Sequence, residues 1–145
     1  MMYNYYMNIN YIAVLVAAVA QFIFGAIWYM PLFGKTWGKI HNFDKVTPEE
    51  QKVMTKQMMP LLLVQFIGTL VTSGVFALLY NDMPSQWHAY GFAGFLWLGF
   101  ILPTQVGAVI FGGTEGKWVV KKILIMAGAG LGCMQIAALV FNYFG

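Results

Sequence analysis

All of the basic residues in this chain are lysines, and they occupy only two short stretches of the sequence. Four long apolar runs flank these stretches, and the segments at the other ends of the runs contain neither Lys nor Arg. Basic residues concentrate in the cytoplasmic loops of integral membrane proteins. The pattern therefore predicts four membrane-spanning helices, with both lysine stretches on the cytoplasmic side and both termini outside. The first stretch contains Lys35, Lys39, Lys45, Lys52 and Lys56, and the second contains Lys117, Lys121 and Lys122.

The composition points to the same class of protein. Of the 145 residues, 60% are hydrophobic and 9% are charged, whereas a soluble domain carries roughly 25% charged residues. Because so little charge cannot cover a water-soluble fold, we expect one all-α transmembrane domain over residues 1–145, a four-helix bundle built from two antiparallel hairpins. The chain has no Arg, and each lysine stretch adjoins an apolar run. We therefore expect its partner to be the lipid of the cytoplasmic membrane rather than nucleic acid.

The four predicted spans are close in length to the roughly 20 apolar residues that cross a bilayer as a helix. They cover residues 11–33, 59–80, 88–111 and 123–144, and none contains Asp, Glu, Lys or Arg. Trp and Tyr concentrate at the two membrane interfaces. The expected anchors are Trp28, Tyr29, Trp37 and Trp118 at the inner interface and Trp87 at the outer one.

The first lysine stretch contains a helix start signal, Thr47-Pro48-Glu49-Glu50. In a capping box the Thr hydroxyl accepts from the third helical amide and the Glu carboxylate accepts from the Thr amide, while Pro is favoured at the first helical position. We expect a short amphipathic helix that starts here, runs toward Pro60 and lies on the cytoplasmic face before the second span.

Each predicted span contains one glutamine: Gln21, Gln65, Gln105 and Gln135. An amide in hydrocarbon is costly unless its donors and acceptor find partners, so we expect all four to face protein. Gln65 shares its helix face with Thr69. Two interpretations are open. The amides fix the packing through interhelical hydrogen bonds, or they line a polar cavity that binds or passes a small uncharged or amphiphilic, lipid-like molecule.

The third span contains the sequence Pro103-Thr104-Gln105. Pro103 has no N–H to donate to the carbonyl of Gly99, so one backbone acceptor is freed within the membrane and the helix should kink. The Thr104 and Gln105 side chains follow at once and can supply hydrogen bonds. This arrangement is typical both of a ligand site in a broken helix and of an ordinary kink whose polar groups are satisfied locally.

Glycines mark the expected close contacts between spans. Gly128 and Gly132 form a G-x-x-x-G pair in the fourth span, and Gly25 lies in the first. Such pairs let membrane helices approach closely. They also suggest a different function, that of a non-enzymatic structural or regulatory subunit that docks on another membrane protein, or on a second copy of this chain, through the glycine-rich face.

Residues for catalysis or for cofactor binding do not form a recognisable set. His41 and His88 fall near opposite faces of the membrane, so they cannot share a metal or a haem. The sequence contains no Ser-His-Asp set, no carboxylate pair and no phosphate-binding glycine loop. We therefore expect neither an enzyme nor a metal or other cofactor.

The end of the first span carries the most specific motif. The run from Gly25 to Trp37, Gly-Ala-Ile-Trp-Tyr-Met-Pro-Leu-Phe-Gly-Lys-Thr-Trp, resembles the signature of the domain of unknown function 1761 family. The Thr-Pro-Glu-Glu loop and the run from Trp97 through Thr104 are similar to that family as well, so the resemblance covers nearly the whole chain. It implies a small bacterial-type membrane protein of four helices, and it implies no particular activity.

Overall fold

The computed structural model describes residues 8–145, and these are almost entirely helical. Six α-helices are joined by shorter helical pieces and tight turns, and the described residues include no β-strand. The predicted all-α class is therefore confirmed. The α-helices are α1 (Tyr11–Ile27), α2 (Gly34–Ile40), α3 (Pro48–Asn81), α4 (Ala89–Leu96), α5 (Leu102–Phe111) and α6 (Gly116–Phe144), with π-helical segments at Trp28–Leu32 and Trp97–Ile101 and a 3₁₀ turn at Phe43–Lys45.

Four continuous helical stretches are long and apolar enough to cross a membrane: Tyr11–Leu32, Pro48–Asn81, Ala89–Phe111 and Gly116–Phe144. The first and third agree with the predicted spans to within a residue. The second and fourth begin earlier, because each helix extends beyond the apolar run into the lysine-bearing segment before it. Four helices of this kind make the chain a multi-pass membrane protein.

The helix that begins at Thr47 differs from the prediction in its length. The capping box is present, since the Thr47 hydroxyl accepts from the Glu50 amide at 3.3 Å and the Thr47 amide donates to the Glu50 carboxylate at 2.9 Å. The helix does not stop near Pro60, however, but continues through it as α3 for 34 residues. Pro60 removes only the bond to the carbonyl of Lys56, and Lys56 is exposed. A separate short helix on the membrane surface is therefore not formed.

Helix α6 lies at the centre of the bundle. It packs against α1 on one side and against α4 and α5 on the other, while α3 packs mainly against α1. Small side chains make these approaches close, because most of the buried apolar residues are alanines. They include Ala13, Ala17 and Ala18 of α1, Ala77 of α3, Ala89 and Ala93 of α4, and Ala127, Ala129, Ala137 and Ala138 of α6.

The spans meet through aromatic rings at one end of the bundle. The Phe76 ring of α3 lies 6.2 Å from Phe92 and 5.8 Å from Phe141, measured between ring centroids, and Tyr80 lies 6.2 Å from Phe141. The start of α1 is tied to the end of α6 here, because the Asn10 side-chain amide donates to the carbonyl of Phe144 at 2.6 Å. The first and last described helices thus begin and end on the same side.

The two lysine-bearing segments meet at the opposite end. Helix α2, which follows the first span, packs against the start of α6, and the Lys122 ammonium lies 5.7 Å from the centroid of the Trp37 ring. This geometry agrees with the expectation that both stretches share one side of the membrane. That this side is cytoplasmic remains a prediction from the lysine pattern.

Candidate functional site

Gln21 is buried between the first and second spans. Its side chain is 3% exposed, and its Nε2 donates to the Ala17 carbonyl at 3.1 Å and to the Ser73 hydroxyl at 2.8 Å. Ser73 is fully buried, and it was missed in the sequence because the expected polar face of this span was that of Gln65 and Thr69. This amide therefore links α1 to α3.

Gln135 links a different pair of helices. Its Nε2 donates to the carbonyl of Tyr90 at 3.1 Å, and a Cβ added at Gly94 would lie 3.7 Å from the same nitrogen. The bond connects α6 to the first turn of α4. Gln21 and Gln135 thus bind partners on separate helix pairs, as expected for packing contacts.

Gln65 does not face protein, so the expectation for all four amides is wrong at this position. Its side chain is exposed and makes no hydrogen bond to any described residue, while its carbonyl accepts from the Thr69 hydroxyl at 3.0 Å. The physical reason is the position of α3. All residues from 52 to 65 are exposed, so the other described helices do not cover the first half of this helix.

The third span leaves α-helical geometry just before Pro103. The segment Trp97–Ile101 is π-helical, and Leu102 donates to the carbonyl of Trp97, five residues back. This wider turn accommodates a proline that can neither donate to nor approach the carbonyl four residues before it. The Thr104 hydroxyl donates to the Phe100 carbonyl at 2.6 Å. Pro103 leaves the carbonyl of the preceding residue, Gly99, without its usual helical donor.

Gln105 lies one residue further along, with its amide against the glycine-rich part of α6. A Cβ added at Gly130 would lie 3.2 Å from the Gln105 Nε2, 3.4 Å from its Oε1 and 3.0 Å from Cγ2 of Ile101. The Oε1 atom is buried, yet it accepts no hydrogen bond within the described part of the chain. An unpaired acceptor in such surroundings is costly, so this atom is the strongest polar candidate for contact with a ligand.

Two tryptophans hold α6 from opposite sides. The Trp28 indole N–H donates to the Ile125 carbonyl at 2.9 Å, and the Trp97 indole N–H donates to the Ala127 carbonyl at 3.0 Å. Each tryptophan is also the first residue of a π-helical segment. Trp28 was expected to be an interface anchor, and Trp97 was not singled out, although Gly25-x-x-Trp28 and Gly94-x-x-Trp97 repeat the same spacing.

The glycine pair of α6 is filled by rings from the same chain. A Cβ added at Gly128 would lie 2.7 Å from the Trp28 ring, and one added at Gly132 would lie 2.4 Å from the Phe24 ring. Gly25, by contrast, has no atom within 4 Å of its added Cβ. The face of Gly128 and Gly132 is thus in use within the protein and does not present a flat surface to another one.

The other expected anchors lie near the ends of the bundle. Tyr29 and Trp37 contact each other with ring centroids 4.8 Å apart, and Trp87 lies 5.0 Å from Phe95. The Trp118 ring is flanked by two lysines, with the Lys117 and Lys121 ammonium groups 5.8 Å and 5.4 Å from its centroid.

Metal-binding side chains do not come together in the part of the chain that the structure describes, where no group of three His, Cys, Asp or Glu residues is close enough to hold an ion. Cys133 lies within the bundle, with its Sγ 3.9 Å from the carbonyl of Gln21.

Comparison with known proteins gives one match. Residues 12–142 match the family described as a protein of unknown function, DUF1761, which is the family that the Gly25–Trp37 motif resembles. Neither the search of curated proteins nor the search of solved structures gave a match. Because the family match covers most of the sequence, the chain belongs to the DUF1761 family.

Proposed function

We propose that this protein binds a neutral amphiphilic molecule from the bilayer, with the amide of Gln105 as the polar contact. The observation that carries the proposal is the Oε1 atom of Gln105, which is buried beside Gly130 without a hydrogen-bond partner among the described residues. The amides of Gln21 and Gln135, by contrast, donate to partners in the same chain. Among the four glutamines of the spans, Gln105 is the one whose Oε1 is buried without a hydrogen bond to any described residue, so we assign this acceptor to another molecule.

The chemistry of this atom restricts the ligand. A carbonyl oxygen accepts hydrogen bonds, so the ligand must offer a hydroxyl or an N–H. The surroundings are apolar, with Ile101 against the same glycine, and no ionised side chain lies in the third span. A charged ligand would lose its hydration without compensation. These properties favour a neutral lipid-like alcohol or amide.

The neighbouring surface supports entry from the side of the bilayer. Phe100 is 71% exposed, and Pro103 and Thr104 are exposed as well. These three residues border the turn where the third span departs from α-geometry. An acyl chain can lie along such a surface while the polar group of the ligand reaches Gln105.

A photoreactive monoacylglycerol tests the proposal. The purified chain in lipid nanodiscs is irradiated with this probe, and the labelled peptides are mapped by mass spectrometry. We expect labelling near Phe100–Gln105 that falls severalfold in Gln105→Leu and stays unchanged in Gln135→Leu, whose amide already has a partner. A methyl ester of the same acyl chain, which lacks the hydroxyls, should label weakly.

Equal labelling of the two variants would show that Gln105 makes no specific contact and would refute the proposal. Both variants are first compared by circular dichroism and by gel filtration, so that loss of the fold is not mistaken for loss of binding. The original chain gives a test that needs no variant. If the monoacylglycerol labels it no better than the methyl ester does, the proposed hydrogen bond is contradicted.

A second candidate function, docking on another membrane protein or on a second copy, is favoured by α3. Residues 52–65 are exposed on every side of this helix, and the exposed amide of Gln65 offers a donor and an acceptor to a partner helix. Docking on α3 would replace the expected role of the Gly128 and Gly132 face. Self-association is tested by disulfide crosslinking of the Gln65→Cys variant in membranes. The Val53→Cys variant, on the same helix, serves as the comparison.

A further inference from the structure

Four side chains form a compact group at the lysine-bearing end of the bundle, which we call the Trp37 cluster: Tyr29, Trp37, His41 and Lys122. The Trp37 ring lies 4.8 Å from Tyr29 and 4.5 Å from His41, measured between centroids, and the Lys122 ammonium lies 5.7 Å from its centroid. The residues come from the end of the first span, from α2 and the residue that follows it, and from α6. Packing of α2 against both neighbours therefore fixes the cluster.

The positive charge of this cluster is not neutralised within the protein. Across residues 8–145 the structure contains a single ion pair, between Lys117 and Glu115 at 3.2 Å. Glu50 is used by the capping box. Lys122 has no carboxylate partner, and its ammonium instead lies over an aromatic ring while the residue is half-buried. A cation held in this way is available to an external anion.

We infer that the Trp37 cluster binds the headgroup of an anionic phospholipid, with the phosphate at Lys122 and the glycerol region against the Trp37 ring. The inference is independent of the Gln105 site. Lysines beside a membrane attract anionic lipids, and Trp and Tyr rings favour the headgroup level. Exposed apolar residues adjoin the cluster in the sequence, since Leu32 precedes α2 and Leu124 follows Lys122 by two positions. They offer a surface to the acyl chains.

The distinction between this site and general surface charge lies in its geometry. Lys122 is half-buried and lies over Trp37, whereas Lys52 is exposed on the uncovered part of α3. Both lysines belong to the lysine-bearing segments and carry the same charge. Replacing either one changes the net charge equally, so Lys52→Gln is a matched control for Lys122→Gln.

Native mass spectrometry of the full chain, released from bilayers of equal parts phosphatidylglycerol and phosphatidylcholine, tests the inference. We expect the chain to retain phosphatidylglycerol in preference to phosphatidylcholine. Retention should fall severalfold in Lys122→Gln, because the phosphate loses the cation that lies over Trp37. It should stay near the original in Lys52→Gln, whose lysine is exposed and outside the cluster, and should be largely kept in Lys122→Arg, which restores the charge. Equal losses in the two glutamine variants would overturn the inference.

A second measurement uses the unchanged chain and so does not depend on a variant that folds. An amine-acylating reagent is applied to the chain in vesicles of each lipid, and modification of each lysine is followed by mass spectrometry. Phosphatidylglycerol should slow the modification of Lys122 more than that of Lys52. Equal slowing of the modification of both lysines would contradict a lipid headgroup site. So would protection of Lys122 in phosphatidylcholine vesicles with added inorganic phosphate, if it equalled the protection in phosphatidylglycerol.

Discussion

At the scale of single residues, the bundle is held together by a few polar side chains whose partners are well defined. The shortest buried link between spans is the bond from Gln21 Nε2 to the Ser73 hydroxyl, at 2.8 Å. Ser73 has no exposed surface. Hydrogen bonds of this kind between membrane helices contribute modestly but measurably to stability.

Removal of the Ser73 hydroxyl should therefore destabilise the protein. We expect Ser73→Ala to lower the free energy of unfolding by about 1 kcal/mol, because Gln21 loses its partner on α3. Thr72→Ala is the comparison, since the exposed Thr72 hydroxyl bonds only to the Gly68 carbonyl of its own helix and should matter little. Denaturation in detergent micelles, followed by circular dichroism, measures both. A larger loss in Thr72→Ala than in Ser73→Ala would contradict this role of Gln21.

The glycines of α6 provide a second prediction at this scale. A methyl group at Gly132 would lie 2.4 Å from the Phe24 ring, so Gly132→Ala should cost roughly 1–3 kcal/mol through overpacking. Gly25→Ala should be neutral or slightly stabilising, because nothing lies within 4 Å of the added atom and Ala favours a helix over Gly. Thermal melting in detergent compares the two.

The double variant Gly132→Ala with Phe24→Leu serves as the control for this prediction. The smaller Leu side chain makes room for the methyl group, so part of the lost stability should return. If Gly132→Ala melts at the same temperature as the original chain, the close contact between the first and fourth spans does not exist.

At the scale of helices, the two π-helical segments set the geometry of the first and third spans. Each begins with a tryptophan that bonds to a carbonyl of α6, and a proline lies within the segment or shortly after it. The wider turns place the indole rings of Trp28 and Trp97 on opposite sides of the same stretch of α6.

We predict that Trp28→Phe and Trp97→Phe each lower stability by about 1 kcal/mol, the usual contribution of one hydrogen bond. Phenylalanine keeps an aromatic ring but cannot donate. Trp118→Phe is the comparison, since that ring contacts only lysine ammonium groups among its described polar interactions and should lose less. Chemical denaturation in micelles provides the three values, and an equal loss at Trp118 would argue against the two indole bonds.

The sequence predicts helix starts better than helix faces. The capping box identified Thr47 because its signal involves only neighbouring residues. The continuation of α3 through Pro60 was not predicted, because it depends on whether the freed carbonyl of Lys56 remains exposed. The outward orientation of Gln65 depends on which helices cover α3, and nothing local in the sequence specifies that. The hydrogen bond from Trp97 to α6 was not predicted, although its G-x-x-W spacing repeats that of Trp28.

At the scale of the whole molecule, the described helices place different groups of residues at the two ends of the bundle. The ends of α1 and α6 are tied together by the bond from Asn10 to Phe144, while the two lysine-bearing segments meet at the other end through Trp37 and Lys122. Charge patterning predicts the same grouping of the lysine-bearing segments, because the lysines are excluded from the apolar runs, and the side of the membrane that they occupy stays a prediction. The surroundings of the four glutamines were predicted only in part, since their partners depend on the packing of the helices.

We predict that the four spans place both lysine-bearing segments on the cytoplasmic side and both termini outside. Labelling of single cysteines with a membrane-impermeant thiol reagent tests it most directly, on a Cys133→Ala background that leaves no other thiol. We predict that Asp82→Cys, in the turn between α3 and α4, is labelled in intact cells, whereas Lys45→Cys is labelled only after the cells are permeabilised. Labelling of position 45 but not of position 82 in intact cells would contradict the orientation, and labelling of both would contradict the four-span arrangement.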